Sequence, residues 1–281
     1  MHRIDPKTVR RIILEQSKRA NVGHIGSCLC VVEILCALYS DIVRAASPDD
    51  PDRDRVILSK GHAGLALYAV LSQRGWVEPN LLESFCADNS FFGVHPEATV
   101  PGIDFSTGSL GQGLGLAAGA ALAARMQGSS RRVYCLLSDG ECNEGSTWEG
   151  AMFAAHQQLD NLTVIVDANG QQAFGLTRDV IDMSNLSERW STFGWAVEQI
   201  DGHSLEELRQ GLRPRGRHTQ PRILIAHTVF GKGVSYMEKG LANGRQHLLD
   251  LPINWHYLPM TDEEYACALA EQRSSDADPI R

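Results

Sequence analysis

The sequence predicts an α/β fold, in which a doubly wound, mostly parallel sheet has helices on both faces. Short apolar runs, which we interpret as strands, alternate along the chain with segments of helical periodicity, and this is the pattern of parallel βαβ units. The two clearest runs, residues 133–137 and 162–166, are followed by polar turns that contain Asp-Gly and Asn-Gly. At 281 residues with 43% hydrophobic content, the chain is large enough to bury a substantial core.

The predicted elements follow one another without an internal repeat or a low-complexity linker, so we expect one domain over residues 1–272. Residues 273–281 are polar and predict a frayed tail. Residues 109–126 are rich in glycine and alanine, which predicts a helix packed closely against its neighbours. The predicted strands are 55–58, 133–137, 162–166, 195–200 and 222–229, and the predicted helices are 7–20, 31–43, 65–74, 109–126, 148–158, 186–192 and 204–212.

The composition argues against several classes of function. A formal net charge of −8 without a basic stripe argues against nucleic-acid binding. We find no run of about 18 apolar residues and therefore expect no membrane span, and residues 1–5 lack the apolar core of a secretory signal. Seven cysteines, scattered without a Cys-x-x-Cys pair, indicate reduced thiols. We therefore expect a cytoplasmic protein.

The most informative feature is a pair of polar turns at the ends of two predicted strands. Asp139-Gly140 follows one apolar run, and Asn169 follows the next, 30 residues after Asp139. Carboxylate and amide oxygens are ligands that suit Mg²⁺, which takes its remaining ligands from water and substrate phosphates. Glycine beside the carboxylate lets backbone N–H groups approach a diphosphate. Because open α/β sheets bind ligands at the carboxyl ends of their strands, we predict a magnesium-diphosphate site there.

Four histidines lie in loop-like contexts, three of them close to glycine or proline. A cleft that contains several histidines can move protons and bind sugar hydroxyls near neutral pH. A zinc site is the alternative, but no two of these histidines lie at the i, i+4 spacing of a helical zinc motif. The sequence alone does not show that they converge. The four are His24, His62, His95 and His256.

The ordered set of motifs resembles the amino-terminal, diphosphate-binding half of transketolase. The resemblance covers about residues 7–270 and departs from the thiamine-diphosphate signature at Ser138, which stands in place of a glycine. Full-length transketolases are more than twice this size, so the chain resembles the N-terminal subunit of a split transketolase. The motifs are Gly23-His24-Ile25-Gly26, Ser59-Lys60-Gly61-His62, His95-Pro96-Glu97, Thr107-Gly108-Ser109-Leu110-Gly111-Gln112-Gly113, Asp139-Gly140-Glu141 and Asn169.

The resemblance implies two sets of binding residues. The Mg²⁺ ligands are the side chains of Asp139 and Asn169 and the backbone carbonyl of Gln171. Lys232 could reach a phosphate as a point charge, or it could be part of an ordinary flexible loop, and the sequence favours neither. The implied residues around thiamine diphosphate are His62, Gly108, Ser109, Leu110, Asp139, Gly140, Glu141, Asn169 and Lys232.

The resemblance also implies roles in catalysis. His24, His62 and His95 would line the substrate channel and handle sugar hydroxyls and protons. Glu144 resembles an acidic residue that joins two active sites through an interface network. His256 is a weaker match, because residues 241–254 do not follow the family's usual loop.

Ketol transfer is the function that the resemblance implies. With thiamine diphosphate and Mg²⁺, a two-carbon unit would pass from a ketose or ketose phosphate to an aldose or aldose phosphate. The family's cofactor also needs a glutamate from a pyrimidine-binding domain, which this chain does not contain. The chain should therefore be inactive without a partner subunit of roughly 300 residues, and two copies of each would form a heterotetramer.

Three alternatives remain open at this point. The chain could be a subunit of a 2-oxoacid dehydrogenase or resemble deoxyxylulose phosphate synthase, which share the metal motif. It could also be a cofactor-binding module without turnover. A dinucleotide-binding dehydrogenase is the weakest alternative, because no strand precedes the glycine-rich segment 111–115. The ketose donor and the aldose acceptor are not identified by the sequence.

Overall fold

The computed structural model describes residues 3–214, 219–242 and 255–274, and it contains a five-stranded parallel sheet. The strand order in this sheet is β1-β2-β3-β7-β6, and a short antiparallel hairpin, β4–β5, follows β3. This arrangement confirms the predicted fold class. The strands are β1 Arg55–Leu58, β2 Val133–Ser138, β3 Leu162–Ala168, β4 Gln171–Gln172, β5 Gly175–Leu176, β6 Ala196–Asp201 and β7 Arg222–His227.

Helices cover both faces of the sheet. Short 3₁₀ segments lie at Gly61–Ala63, Pro79–Ser84 and Gly140–Asn143, and a π-helical segment lies at Leu38–Ile42. The α-helices are α1 Pro6–Ala20, α2 Ile25–Leu29, α3 Val32–Ala37, α4 Gly64–Gln73, α5 Gly113–Met126, α6 Gly145–His156, α7 Thr177–Val180, α8 Leu186–Thr192, α9 Leu205–Leu212, α10 Ser235–Ala242 and α11 Asp262–Ser274.

The central strands are buried on both sides, which explains their continuous apolar sequences. Along β2, Tyr134 and Leu136 belong to a core that also contains residues of α1, α3, α4 and α9. Their neighbours Val133, Cys135 and Leu137 point to a second core with residues of α5, α6 and α8. Successive side chains of a strand face opposite sides of a sheet. The two layers of helices therefore hold the carboxyl ends of β2 and β3 in fixed positions.

The structure differs from the predicted elements at several places. The predicted helix 109–126 begins only at Gly113, because the preceding residues form a loop in which Gly108 has a φ of 153°. Helix α2 and the β4–β5 hairpin were not predicted, since both are too short to show periodicity. Helix α11 extends to Ser274, and residues 275–281 of the predicted tail lie outside the described residues.

The helical stretch Ile25–Ile42 corrects the expectation that no segment is long and apolar enough to span a membrane. Its mean hydropathy is 1.8 over 18 residues, which meets that criterion by length and composition. In the structure 94% of this stretch is buried inside the protein. Its apolar composition is therefore explained by its position in the core between the other helices and the sheet.

Candidate active site

Asp139 follows β2 directly and lies against the loop that follows β3. Its Oδ2 accepts hydrogen bonds from the backbone N–H of Gly170 at 2.8 Å and from Thr177 Oγ1 at 3.0 Å. Its Oδ1 accepts a hydrogen bond from the Gly140 N–H at 2.8 Å. Burial and the neighbouring carboxylate of Asp167 raise the pKa of Asp139 to about 6. The carboxylate is thus placed at the strand-end edge that the sequence predicted.

Asn169 occupies the matching position after β3. Its Nδ2 donates to Asp167 Oδ2 at 2.7 Å, and its Oδ1 accepts a hydrogen bond from the Gln171 N–H at 2.9 Å. Gly170 between them has a φ of 73° and open space where a Cβ would lie. Asp139 and the segment 169–171, which together contain all three predicted metal ligands, therefore meet at one edge of the sheet.

The groups around Gly140 fit an anionic ligand with a divalent cation. A Cβ added to Gly140 would lie 3.2 Å from Gln172 Cβ, so the turn passes close to the hairpin. Two buried side-chain atoms here have no hydrogen-bond partner among the described residues: the donor Gln172 Nε2 and the acceptor Asn143 Oδ1. Within the described ranges, no group of three or more His, Cys, Asp and Glu side chains could hold a metal. One carboxylate with amide oxygens is a donor set that suits Mg²⁺.

Glu141 is one of the residues that the resemblance places around the cofactor. It is fully buried, and its Oε1 accepts hydrogen bonds from Ser59 Oγ at 2.5 Å and from the Gly111 N–H at 2.9 Å. Its Oε2 accepts a hydrogen bond from the Ser138 N–H at 3.1 Å. Burial raises the pKa of Glu141 against the effect of these donors. Its carboxylate connects the segments after β1 and before α5 to the end of β2, and its contact with the cofactor remains a prediction.

Gly108 lies in a loop that crosses the end of β1. A Cβ added to Gly61 would lie 2.8 Å from Gly108 Cα, so the two backbones are in direct contact. Thr107 Oγ1 donates to the Leu58 carbonyl at 2.7 Å and fixes this approach. In the same loop Ser109 is exposed and Leu110 is half-buried. The predicted cofactor-contacting loop therefore lies next to the segment that carries His62.

Three of the four histidines form one cluster. The ring centroids of His24 and His62 are 5.5 Å apart, those of His24 and His256 are 5.4 Å apart, and those of His62 and His256 are 5.5 Å apart. His256, the weakest sequence match, is therefore placed with the others. The Nδ1 atoms of His24 and His256 are buried without a partner in the described part of the chain. These nitrogens are free to bind a polar ligand.

The cluster is held in the neutral form. Burial lowers the pKa of His24 and of His256 to about 4, and it lowers the pKa of His62 well below the ordinary value. Repulsion by neighbouring histidines and by Lys60 acts in the same direction. At neutral pH the rings can therefore accept or donate hydrogen bonds without carrying charge.

His95 lies beside the Gly108 loop. A Cβ added to Gly108 would lie 3.0 Å from His95 Cδ2. His95 is exposed, and its backbone carbonyl accepts a hydrogen bond from the Tyr68 hydroxyl at 2.8 Å. Its charge contributes to the lowered pKa of His24, after burial. It is therefore at the exposed edge of the histidine region.

Lys232 and Glu144 are not part of the three-histidine cluster. Lys232 Nζ lies 3.8 Å from Glu238 Oε1, and the Lys232 carbonyl accepts a hydrogen bond from Arg10 Nε at 3.0 Å. Glu144 is exposed at the start of α6, and its Cβ would lie 2.7 Å from a Cβ added to Gly111. A phosphate contact by Lys232 and an interface role for Glu144 remain predictions.

Lys60 was missed as a functional candidate, although its motif was recognised. Its side chain is fully buried, and Nζ lies 2.5 Å from Asp167 Oδ2. Burial alone would lower the pKa of Lys60, but Asp167 outweighs that effect and raises it. Burial would likewise raise the pKa of Asp167, but Lys60 keeps it below its ordinary value. The sequence signal for this pair was a charged residue at the end of each of two apolar strands, Lys60 after β1 and Asp167 in β3.

The parallel sheet, the strand-end oxygens and the neutral histidines together define the diphosphate-binding half of a thiamine-diphosphate enzyme. Residues 2–246 match the family model described as transketolase, thiamine diphosphate binding domain. The chain belongs to this transketolase family, as an N-terminal subunit of the split type. It is thus a transferase of the thiamine-diphosphate-dependent transketolase class.

Two relatives of similar length are named as transketolase subunits. The chain is 36% identical to a 6-deoxy-6-sulfo-D-fructose transketolase subunit from a Clostridium species, over 96% of this chain and 95% of the relative. It is 37% identical to one of the subunits of apulose-4-phosphate transketolase from Phocaeicola vulgatus, over 93% of this chain and 90% of the relative. These names favour transketolase over the oxoacid dehydrogenase, the synthase and the module without turnover.

Solved transketolases share the fold. The Campylobacter jejuni enzyme superposes with a TM-score of 0.76 at 26% identity and covers 97% of this chain, which spans 46% of that enzyme. The Pichia stipitis enzyme in complex with sedoheptulose 7-phosphate gives a TM-score of 0.78 at 26% identity, with 97% of this chain and 44% of that enzyme covered. The chain therefore spans less than half the length of these solved enzymes.

Proposed function

We propose that this subunit binds thiamine diphosphate with Mg²⁺ and transfers a two-carbon ketol unit together with a separate pyrimidine-binding subunit. The donor would be a ketose or ketose phosphate, and the acceptor an aldose or aldose phosphate. The observation that carries this proposal is the meeting of Asp139 with the 169–171 segment at the ends of β2 and β3. Thiamine diphosphate, when bound, supplies the carbon nucleophile that carries the two-carbon unit.

The cation would be held by Asp139, Asn169 and the backbone carbonyl of Gln171. The Asp139–Gly170 hydrogen bond supports this assignment, because it fixes the two strand ends relative to each other. The backbone of Gly140 and the unpartnered Gln172 Nε2 would bind the diphosphate oxygens. The Gly108–Leu110 loop would contact the cofactor beside His62.

The neutral histidines would bind sugar hydroxyls and move protons. His24 and His256 each have a buried Nδ1 that no described residue satisfies, and a substrate hydroxyl would supply the missing partner. Because burial keeps the rings uncharged at neutral pH, each has one nitrogen that can accept and one that can donate a hydrogen bond to a sugar hydroxyl. His95, at the exposed edge of the histidine region, would contact the substrate as it enters the site.

The partner would supply the pyrimidine-binding part of the site. The solved transketolases are more than twice as long as the region that this chain covers in them, and relatives of similar length are named as subunits. A pyrimidine-binding subunit would provide the glutamate that activates the cofactor. Exposed Glu144 would lie at a contact between subunits, and two copies of each chain would form a heterotetramer. The seven free cysteines fit a cytoplasmic location.

Calorimetric titration of thiamine diphosphate and Mg²⁺, with and without the candidate partner, tests the proposal. The same samples are assayed for ketol transfer between sugar phosphates. We expect turnover only with both chains, and loss of cofactor binding in D139N. The control D160N removes an exposed carboxylate just before β3, at the opposite end of that strand from Asn169, and should bind normally. Wild-type binding without any transfer in the presence of the partner would contradict the proposal.

A further inference from the structure

The buried Lys60–Asp167 pair lies behind the proposed cation site and contacts it through one residue. We propose that Lys60 is a positioning residue, which acts through Asp167 to hold the Asn169 side chain with its oxygen toward the cation. This inference rests on the proposed function of that site. The pair has 1% and 0% of its side chains exposed, so solvent does not weaken the interaction.

One carboxylate oxygen of Asp167 contacts both Lys60 and Asn169. Asp167 Oδ2 accepts from Lys60 Nζ at 2.5 Å, from Asn169 Nδ2 at 2.7 Å and from the Cys30 thiol at 3.1 Å. The other oxygen, Oδ1, accepts a hydrogen bond from Thr228 Oγ1. The carboxylate is therefore fixed at both oxygens, and the one bound by Lys60 is the one that orients Asn169.

The hydrogen bonds allow only one orientation of the Asn169 amide. Its Nδ2 faces the Asp167 carboxylate, while its Oδ1 accepts from the Gln171 N–H. A flipped amide would place its oxygen against the carboxylate and its NH₂ against a backbone donor, so both contacts would become repulsive. The charge on Asp167 thus determines that an oxygen is presented at the end of β3.

Lys60 keeps that charge in place. Without a cationic partner this buried carboxylate would be strongly unfavourable in its present position and would move toward solvent. Lys60 comes from the segment after β1, two strands from β3, and Thr228 from the segment after the adjacent β7, so donors on both sides of β3 hold Asp167. The ion pair therefore fixes the side chain of the proposed metal ligand Asn169 relative to the strands of the sheet. Outer-sphere partners of this kind typically change metal affinity by about 10- to 100-fold when they are removed.

The test uses the full chain in complex with its partner subunit, with thiamine diphosphate at saturation, and measures the Mg²⁺ dissociation constant by calorimetry. In the double variant K60M/D167L both charges are removed together, which avoids an unpaired buried charge. We expect a melting temperature close to that of wild type and Mg²⁺ affinity reduced by about tenfold or more. A folded double variant that binds Mg²⁺ within about twofold of wild type would overturn the proposal.

The control T228V removes the donor to Asp167 Oδ1 and leaves the oxygen that orients Asn169 untouched. It should lower the melting temperature but leave Mg²⁺ affinity within about twofold of wild type. An equal loss of affinity in T228V and the double variant would indicate a structural effect and would contradict a positioning role. If the wild-type complex bound no Mg²⁺, the proposed function itself would fail, which separates the two results.

A measurement on the wild-type protein keeps the inference testable even if the double variant does not fold. The Asn169 side-chain NH₂ signal, assigned by its loss in N169D, should exchange slowly with water both with and without Mg²⁺. This follows because Nδ2 is bound to Asp167 in both states. A rapidly exchanging NH₂ in either state would show that Asp167 does not hold the amide.

Discussion

Asp139 Oδ2 accepts a 2.8 Å hydrogen bond from the backbone N–H of Gly170. This bond joins the residue after β2 to the loop after β3, so the two proposed ligand-bearing segments are already fixed relative to each other by the protein. The remaining oxygen of Asp139, Oδ1, receives only the adjacent Gly140 N–H among the contacts of the described residues. A carboxylate oxygen can accept more than one hydrogen bond or ligand. The site is therefore organised before a cation binds.

The raised pKa of Asp139 predicts how Mg²⁺ affinity changes with pH. Because this pKa is about 6, the carboxylate is ionised above pH 6 and protonated below it. Mg²⁺ must displace that proton, so the apparent affinity should be constant above pH 6 and fall by about tenfold per pH unit below it. Calorimetry between pH 5 and 8 in the presence of thiamine diphosphate measures the change. A decrease centred near pH 4 would show that the carboxylate is not perturbed.

The interior network of Arg10, Glu33 and His203 predicts a large effect on stability. Glu33 is buried and pairs with the Arg10 guanidinium and with His203 Nδ1, which lies 3.0 Å away. His203 Nε2 in turn accepts a hydrogen bond from the Val229 N–H at 2.8 Å. E33A leaves Arg10 buried without its partner, and should lower the free energy of unfolding by about 3–5 kcal/mol. Urea denaturation measures this.

The matched control for that variant is D41A. Asp41 pairs with Arg209 at 2.7 Å, but both side chains are partly exposed, so the loss should be at most about 1 kcal/mol. Similar losses in the two variants would mean that burial of Glu33 does not strengthen its interactions.

The parallel sheet and the metal end of the site follow from the sequence more directly than the histidine cluster does. Apolar runs such as that before Asp139 need burial on both faces, which predicts a parallel sheet and places strand-end residues on one edge. The cluster depends on a long-range contact: the His24 N–H donates to the His256 carbonyl at 3.0 Å across the fold. No local pattern encodes that pairing. The contact between Glu141 and Ser59 was not predicted either, because 82 residues separate the two along the chain.

The lowered pKa of His256 predicts a loss of stability in acid. In the unfolded chain this histidine gains a proton near pH 6.5, whereas in the folded protein it does so only near pH 4. The unfolded state therefore binds more protons between these values, and stability falls as the pH falls. At pH 5 the difference for this one residue is about 2 kcal/mol relative to neutral pH.

Comparison of wild type with H256N isolates this contribution. Asparagine does not titrate, so the variant should lose less stability than wild type between pH 7.5 and pH 5, as measured by urea denaturation. The comparison is needed because Asp139, whose pKa is raised, acts in the opposite direction over part of the same range. Identical pH dependence in the two proteins would show that His256 is charged in the folded state.

The contact between Gly26 and Phe230 predicts a variant that lowers activity without affecting Mg²⁺ binding. A Cβ added to Gly26 would overlap the Phe230 ring, which stacks on His256 with centroids 6.2 Å apart. In G26A the ring must move, and His256 loses the surface that orients it. We expect ketol transfer to fall by about tenfold or more, since small displacements of catalytic groups have large effects on rate, while calorimetry shows Mg²⁺ affinity within about twofold of wild type.

The control G115A, in α5, places a methyl group in open space and should raise the free energy of unfolding by about 0.5–1 kcal/mol. Full activity in G26A would mean that His256 does not depend on Phe230 for its position.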